Sequence, residues 1–471
     1  MRCRMFPPAS VLLASTALVV PLSVVLLLAG AARAVDLREI PDGTILGKDN
    51  CQIAKGAMPD EILNFYCKGD YENPIVTHTK YRQGQIDNPR LREVSEKNYG
   101  KFDINAAGTL VDKQSGIRPP VIVGFPFQID PADPKVASKI VWNYFYSVYW
   151  EGGFHTNSPI NWISRGDGVQ RRISDDVHFK YYDGNPPEFQ SRIGANPLGI
   201  LSRTLGRVTE PADLEGTVSL NWRFRDGDKK DNDWAYVPAL RRVRATNPAN
   251  RADGLLGSDI SEDDGPYFDG KPEDFNFKLI GDGIVLAHFD GGELESDGTN
   301  IHKIEPGTKI SSLVTIRSSA WQLISPQPPP IFSAKQGWKT DPKKLVAWAP
   351  IMTALVPRPV WIVEATPKDK YYLYGKILMY FDKESYKGYW KNKYDWHNEA
   401  LHNWMIPATL WHKVDGDPGF VRGGGGGNIA VAVAYKQDRA SVTGMPIAPV
   451  EYYVDLPDDI YEVENLIRTG K

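Results

Sequence analysis

The residues that could do chemistry are few and lie scattered along the 471-residue chain. The closest pair among its eight histidines is His397 and His402. On a helix this spacing would place the two rings about 140° apart, too far round to share one metal ion. The stretch DGDKKDND alternates aspartates like a calcium loop, but Lys229 and Lys230 occupy positions where that loop needs ligands and a glycine. We therefore expect no metal site and no cofactor.

Catalytic motifs are also missing from the sequence. It contains no G-x-S-x-G elbow, no P-loop and no G-x-G-x-x-G after a strand. The neighbouring carboxylates Asp263 and Asp264, or Glu364 in an apolar strand, could transfer protons as the acid pair of a glycosidase does. Such residues also suit a solvated face or an arginine partner. We expect no catalytic residue and no enzyme, and keep an unrecognised envelope hydrolase as the third alternative.

The N-terminus has the form of a secretory signal peptide. Arg2 and Arg4 precede an apolar run from Val11 to Ala29, and Ala32-Arg33-Ala34 has the small-x-small form of a cleavage site. A retained membrane anchor is the alternative, but Pro21 interrupts the apolar run. We expect residues 1–34 to be removed, which predicts a soluble periplasmic protein.

The charge of the mature chain argues against nucleic acid as a partner. Removal of residues 1–34 takes away three arginines and no acid, leaving 52 basic against 58 acidic residues and a net charge of −6. Binding to a phosphate backbone needs a basic surface that releases counterions. We therefore exclude nucleic acid.

Two cysteines remain in the mature chain, Cys51 and Cys67. An even pair in an oxidising compartment predicts a disulfide, and two buried thiols are the alternative. The bond would close a short loop and stabilise the fold by roughly 3 kcal/mol in the chain-entropy model.

Helical patterns are concentrated in the first third of the chain. Residues 35–130 look irregular with short helical patches, one of them beginning at Pro59, and we expect them to form an N-terminal extension. A stronger helix is predicted in DPKVASKIVWNYFYSVYW, with one apolar face on a sheet. That face consists of Val136, Ile140, Val141, Tyr144 and Val148.

The rest of the chain, residues 131–471, has the pattern of an antiparallel sheet domain. In TVSLNWRFR, apolar Val218, Leu220, Trp222 and Phe224 alternate with polar residues, which predicts a strand that forms a hairpin with DWAYVPALRRVR. Further strands are predicted in NFKLIG, GIVLAHFD, SLVTIRSS, RPVWIVEAT, YYLYGKILMYFD and YKGYWKNKYD, and a last helix in DDIYEVENLIR. Gly423–Gly427 predicts a mobile loop, and the strand NIAVAVAYK after it has one bulky and one small face, which leaves room for a helix or a ligand.

The stretch DWAYVPALRRVR ends in three arginines, Arg241, Arg242 and Arg244. Arginines near aromatic residues could grip phosphates, but acids outnumber bases in the surrounding sequence. We therefore predict a structural latch in which these arginines pair with the carboxylates of the following GSDISEDD. The acidic members of the latch are Asp259, Asp263 and Asp264.

Four segments in order resemble an exported bacterial family. They are WAYVPALRRVR, GSDISEDD, GKPEDFNFKLIG and RPVWIVEATPKDKYYLYGKILMYFDKES, within a resemblance that runs from Gly124 to the C-terminus. The family is domain of unknown function 1329, described as outer-membrane lipoprotein-sorting-like. The resemblance implies a mainly β protein with helices (α+β): a curved, half-closed antiparallel β-barrel that wraps helices around an apolar cavity, similar to periplasmic lipoprotein carriers and receptors. The family pattern defines no catalytic residue.

The leading hypothesis is a periplasmic carrier for a lipid or other hydrophobic molecule, acting between the inner and outer membranes. Its partners could include an envelope exporter or an outer-membrane barrel. The predicted cavity lining is Leu220, Trp222, Phe224, Trp234, Tyr236, Trp361, Val363, Tyr372, Tyr374, Val431 and Val433. The alternative is a structural or adaptor subunit of such a complex, with a filled core. The N-terminal extension could cap or fill the cavity.

Overall fold

The structure is a computed structural model, and long antiparallel strands dominate it. It describes residues 36–77, 89–150, 152–157, 159–164, 168–246, 251–290, 313–315, 353–406, 412–413, 421–422, 430–443, 450–452 and 456–471. The predicted signal peptide and the glycine run Gly423–Gly427 lie outside the described residues. Residues 36–471 form one unit, so the predicted N-terminal extension and the sheet domain belong to the same body.

Five α-helices are described. They are α1 (Asp60–Lys68), α2 (Pro89–Glu96), α3 (Val136–Tyr149), α4 (Pro187–Gln190) and α5 (Leu466–Thr469). Short 3₁₀ helices include Cys51–Ala54, Pro238–Leu240, Glu262–Asp264, Asp458–Tyr461 and Val463–Asn465. The predicted last helix is therefore two 3₁₀ turns followed by the single turn α5.

Twenty-two strands are described, and the mainly β prediction is confirmed. They are β1 (Thr44–Leu46), β2 (Asn73–Ile75), β3 (Phe102–Ile104), β4 (Leu110–Asp112), β5 (Phe154–Asn157), β6 (Ile160–Ser164), β7 (Gly168–Tyr181), β8 (Ile200–Glu210), β9 (Val218–Phe224), β10 (Asn232–Val237), β11 (Arg242–Thr246), β12 (Phe275–Asp290), β13 (Leu313–Thr315), β14 (Thr353–Pro367), β15 (Lys376–Asp382), β16 (Gly388–Tyr394), β17 (Ala400–Met405), β18 (His412–Lys413), β19 (Val421–Arg422), β20 (Ala430–Ala434), β21 (Arg439–Thr443) and β22 (Val450–Tyr452).

One antiparallel series of pairings runs through most of these strands. Its order is β11, β10, β9, β8, β7, β6, β21, β20, β17, β16, β15, β14, β12. β2 pairs with β14 in parallel and with β1 in antiparallel fashion. β5 pairs with the second half of β7, β22 pairs with β5, and β13 pairs with β22. Among the described residues, β11 and β12 each pair on one side only, so these pairings do not close a barrel.

The sheet is strongly bent. Strands β12 and β16 are separated in the pairing order by β15 and β14. Flat strands lie about 4.8 Å apart, so β12 and β16 would be about 14 Å apart in a flat sheet. Instead, Trp390 Nε1 on β16 donates a hydrogen bond to Leu286 O on β12 over 3.0 Å. The end of β12 is therefore brought back beside β16.

The predicted helix is confirmed as α3, but its predicted single apolar face is wrong. Twelve of its fourteen residues are buried, including polar Asn143 and Ser147. Tyr144 contacts Phe381 on β15 and Tyr267, whereas Tyr149 contacts Tyr181 at the end of β7. Because protein covers α3 on all sides, a one-sided hydrophobic pattern could not describe it.

The hairpin of β9 and β10 is confirmed, but DWAYVPALRRVR is not one strand. The chain turns at the 3₁₀ helix Pro238–Leu240, and Arg241 takes a left-handed conformation with φ 49°. β11 then returns antiparallel beside β10. The predicted strands NFKLIG and GIVLAHFD are instead a single strand, β12, with a register shift between Leu279 and Gly281.

Candidate functional site

The inside of the bend holds the chain's own N-terminal segment, residues 36–77. Ile62 of α1 and Tyr71 face strands β12, β16, β17 and β20 there. The strands contribute His288, Trp390, Asn403, Met405, Val431 and Val433, and a cavity of about 10 Å³ is left between them and the segment. A space of this size holds about one water molecule and no acyl chain. The N-terminal segment thus fills this part of the interior.

The N-terminal segment is closed on itself by a disulfide and joins the sheet through β2. The predicted disulfide is confirmed: Cys51 and Cys67 are bonded, and their Cα atoms lie 5.2 Å apart. The backbone hydrogen bonds that tie the segment to long strands include Leu286 N to Ala57 O and Val76 N to Leu355 O, each 2.8 Å. The disulfide joins the 3₁₀ helix Cys51–Ala54 to α1, so this part of the segment can act as one piece.

A side chain on β16 and one directly after β20 complete the contact with α1. Asn392 Nδ2 donates to Glu61 Oε2 over 2.8 Å, and the ring of Phe65 stacks on Tyr435 with centroids 6.3 Å apart. Asn403 Nδ2 donates to Asn392 Oδ1 over 2.6 Å, whereas the buried Asn403 Oδ1 accepts no hydrogen bond from the described residues. The lining of the cavity is therefore largely apolar, and Asn403, His288 and Tyr71 are its polar side chains.

His288 is the histidine of this lining. Its side chain is buried, and desolvation lowers the pKa of the imidazole to about 3. The ring contacts Trp390 edge-on with centroids 4.9 Å apart. At neutral pH the interior of the bend therefore carries an uncharged histidine, which suits an apolar occupant.

The opposite face of the same strands is covered by residues 251–274. Asp264 lies there between two lysines of β16, with Lys391 Nζ at 2.6 Å and Lys393 Nζ at 2.7 Å. All three side chains are buried. Burial alone would raise the pKa of Asp264, but the two ammonium groups hold it well below its usual range. Desolvation, with a contribution from Lys393, lowers the pKa of Lys391 to about 8.

The small face of β20 also lies against this segment. Ser441 on β21 pairs in register with Ala432, and Ser441 Oγ donates to Asp259 Oδ2 over 2.8 Å. Arg439 Nη2 reaches Asp259 Oδ1 over 2.5 Å. All five residues of β20 are buried, so protein covers the strand on both faces. The space that the alanines leave is therefore taken by residues 251–274.

The predicted latch has different cationic members. Asp259 is held by Arg439, Asp263 by Arg251 and Asp264 by Lys391 and Lys393. The predicted partners Arg241, Arg242 and Arg244 are exposed. The turn at Pro238–Leu240 places these arginines on an outer strand of the sheet, whereas the carboxylates point into its covered face. Two of the three carboxylates, Asp259 and Asp264, pair with distant strands, whereas Asp263 pairs with the nearby Arg251 rather than with the arginines after β10.

The predicted lining residues on β9 and β10 lie elsewhere. Leu220 and Tyr236 cluster with Leu456, Tyr461 and Leu466, and Trp222 and Trp234 pack against that cluster. Trp222 Nε1 donates to Tyr461 O over 2.9 Å, so the C-terminal residues cover this wall. Phe224 belongs to a separate cluster with Tyr182 and Ile200.

The remaining predicted lining residues belong to the main core. Val363 and Tyr374 are buried in it, and Trp361 and Tyr372 pack against it. Tyr372 Oη donates to Asp263 Oδ2 over 2.7 Å. Of the eleven predicted residues, Val431 and Val433 line the cavity inside the bend.

Sequence reasoning missed the residues that meet Val431 and Val433 across the bend. The sequence did indicate that two of them could be buried: Ile62 lies in an amphipathic helical segment, and Trp390 lies in a strand with alternating side chains. The buried Lys391 and Lys393 were hidden for a different reason: alternating lysines on a strand normally indicate a solvated face.

No helix among the described residues has the length and apolar character needed to cross a membrane.

Comparison with known proteins gives one family match. The model of DUF1329, described as a protein of unknown function, matches residues 68–315. None of the curated proteins matches the chain.

Three solved structures are similar to this chain at low identity. A Vibrio parahaemolyticus domain described as an outer membrane lipoprotein-sorting protein has 13% identity and TM-score 0.42, covering 70% of this chain and 97% of that one. A DUF1329 family protein from Desulfovibrio piger has 15% identity and TM-score 0.41, covering 69% and 97%. A LolA superfamily protein from Nitrosomonas europaea has 12% identity and TM-score 0.37, covering 70% and 98%.

Proposed function

The chain belongs to the DUF1329 family of proteins of unknown function, and we propose that it is a non-enzymatic carrier for a lipid or another hydrophobic molecule in the bacterial cell envelope. The observation that supports this most directly is the apolar interior of the bend. There, Trp390, Met405, Val431 and Val433 surround Ile62 of α1 and Tyr71, which belong to the N-terminal segment.

The N-terminal segment would act as the occupant of the site when no cargo is bound. An apolar interior cannot stay open without cost, because an empty cavity loses the packing energy of its walls. α1 presents Ile62, Leu63 and Tyr66 as a buried face and carries Asp60 and Glu61 in its first turn. A hydrophobic molecule that displaces this face buries apolar area of the same kind, so the exchange costs little net free energy.

The proposed location is the periplasm. The charged start, apolar run and small-x-small site of the first 34 residues support export, and the bond between Cys51 and Cys67 fits an oxidising compartment. A carrier there would receive its cargo from, or deliver it to, an envelope exporter or an outer-membrane barrel.

The test measures binding of an apolar probe inside the bend. We expect native mass spectrometry of the protein purified from the periplasm to detect a bound apolar molecule. We also expect a brominated fatty acid to quench tryptophan fluorescence, because Trp390 lines the interior. Absence of both signals would rule out the carrier.

A matched pair of variants locates the probe. Ile62→Ala weakens the proposed occupant and should make probe binding several-fold tighter. Ile140→Ala is the matched control, because Ile140 on α3 is as buried as Ile62, with exposures of 0% and 1%. This variant should leave probe affinity unchanged. Equal affinities of the two variants would show that the probe binds outside the bend.

An adaptor role is the second candidate function. The small cavity supports it, and so does an exposed patch formed by Tyr371, Leu373 and Trp396, whose exposures are 96%, 42% and 47%. Trp396 Nε1 donates to Tyr372 O, which places the indole beside the turn that carries the other two side chains. If Tyr371→Ser with Trp396→Ser abolishes recovery of an envelope partner while no probe binds to the parent protein, the adaptor role is favoured.

A further inference from the structure

Two histidines that are far apart in the chain face each other across strands β5 and β7. His155 and His178 are direct partners in the antiparallel register. Their rings stack with centroids 4.4 Å apart and an angle of 15° between the planes. Asp176 lies two residues before His178, so the alternation of the strand places its carboxylate on the same face.

The donor atoms of these three side chains converge. His155 Nε2 lies 2.5 Å from Asp176 Oδ1, and one donor atom from each residue falls within 4.8 Å of the others. Imidazole nitrogens and carboxylate oxygens bind zinc at about 2.0–2.2 Å, so ligands of one ion are separated by at most about 4 Å. Small side-chain rotations would therefore bring all three onto one ion.

We propose that His155, Asp176 and His178 form a binding site for a divalent transition-metal ion of the zinc class. Two imidazoles and one carboxylate suit Zn²⁺, Cu²⁺ or Ni²⁺, whereas Ca²⁺ and Mg²⁺ take oxygen ligands. This site is separate from the bend and goes beyond the proposed carrier function.

The surroundings keep the site open to solvent. His155 and Asp176 are 31% and 32% exposed, and His178 is half-buried. On the other face of the same strands, Phe154 and Phe179 stack at 4.4 Å and pack against the main core. The aromatic pair fixes the backbone beneath the site, while the exposed side leaves a coordination position for water or a further ligand.

One neighbouring charge opposes metal binding at the site. Arg207 is the register partner of Asp176 on β8, and its guanidinium repels a cation. We expect Arg207→Gln to tighten metal binding by a few-fold because it removes one nearby positive charge.

The experiment titrates the chelator-treated full-length chain with Zn²⁺ by calorimetry. We expect one ion per chain, and roughly tenfold or greater weakening in His155→Ala and in His178→Ala. His397→Ala serves as the matched control, because that histidine is exposed on a turn outside the site, and should bind as the parent does. Circular dichroism of each variant reports whether it is folded.

A second measurement needs no variant. Co²⁺ or Zn²⁺ added at one equivalent to the unaltered chain should give an X-ray absorption spectrum with scattering from two imidazoles. Undiminished Zn²⁺ affinity in the folded double variant His155→Ala/His178→Ala would overturn the proposal. So would a spectrum without imidazole scattering, or failure of the unaltered chain to bind an equivalent of Zn²⁺.

Discussion

Arg251 donates a hydrogen bond from Nε to Asp263 Oδ1 over 2.8 Å, with both side chains buried. Arg251 Nη2 also reaches Asp269 Oδ2 over 2.6 Å, and Asp269 in turn pairs with Arg223 of β9 over 2.8 Å. One arginine at the start of residues 251–274 therefore holds two carboxylates further along the same segment. It occupies the latch position that the sequence prediction assigned jointly to Arg241, Arg242 and Arg244.

The first prediction compares these two arginines. Arg251→Ala leaves the carboxylates of Asp263 and Asp269 with one cation fewer in a buried site, and should lower the free energy of unfolding by about 3–5 kcal/mol. Arg242→Ala removes an exposed side chain and should change it by less than about 0.5 kcal/mol. Urea unfolding of both variants checks the prediction. A larger loss for Arg242→Ala would restore the latch predicted from the sequence.

The second prediction concerns the buried triad of Asp264, Lys391 and Lys393. Asp264→Asn leaves two buried ammonium groups without their carboxylate and should cost about 3–5 kcal/mol of unfolding free energy. The matched control is Asp459→Asn, since Asp459 pairs with Arg468 at 3.5 Å with both side chains largely exposed. That control should lose no more than about 1 kcal/mol. Similar losses in the two variants, measured by urea unfolding, would contradict the assignment.

The third prediction tests the packing of Tyr267 on β16. A Cβ atom added at Gly388 would lie 2.0 Å from the Tyr267 ring, whose hydroxyl is fixed by bonding to the Trp390 carbonyl and the Tyr380 amide. Gly388→Ala should therefore destabilise the protein by about 1–3 kcal/mol through overpacking. Gly281→Ala, where a Cβ would meet nothing within 4 Å, is the control. Thermal unfolding that ranks Gly281→Ala as the worse variant would disprove this packing.

The fourth prediction concerns acid stability and His288. Burial lowers the pKa of His288 to about 3, below its ordinary value of 6.5. The imidazole of His288 therefore binds a proton less well in the folded state than in the unfolded state. The neutral imidazole contributes its full stability above pH 6.5, and this contribution is lost as the pH falls towards 3. Relative to pH 7, the loss at pH 5 should be about 2 kcal/mol.

The variant His288→Phe isolates this effect from other titrating groups. It keeps an aromatic ring beside Trp390 and has no group to protonate. Its free energy of unfolding should fall by about 2 kcal/mol less than that of the parent between pH 7 and pH 5. Carboxylates and His402, whose pKa desolvation lowers to about 4, act equally in both proteins and cancel. Identical pH dependence by urea unfolding would refute the assignment.

Local patterns in the sequence predicted several elements correctly. Period-two alternation located β9, helical spacing located α3, and the even cysteine pair indicated the bond between Cys51 and Cys67. Each of these features depends on neighbours within a few residues or on the compartment. The strands β5 to β8 went unpredicted, although they form a continuous part of the sheet.

The sequence by itself therefore determined the mainly β class, the family and the disulfide, whereas only the tertiary structure decided which charged and metal-binding groups meet. Lys393 lies 129 residues from Asp264, and His155 meets His178 through strand register. The periodicity of apolar residues indicates that one face of a strand or helix is covered, but it does not identify the residues that cover it. It therefore could not show that α1 fills the bend or that Lys391 is buried. Long-range pairing sets those contacts, and each chain position carries too little information to specify its distant partner.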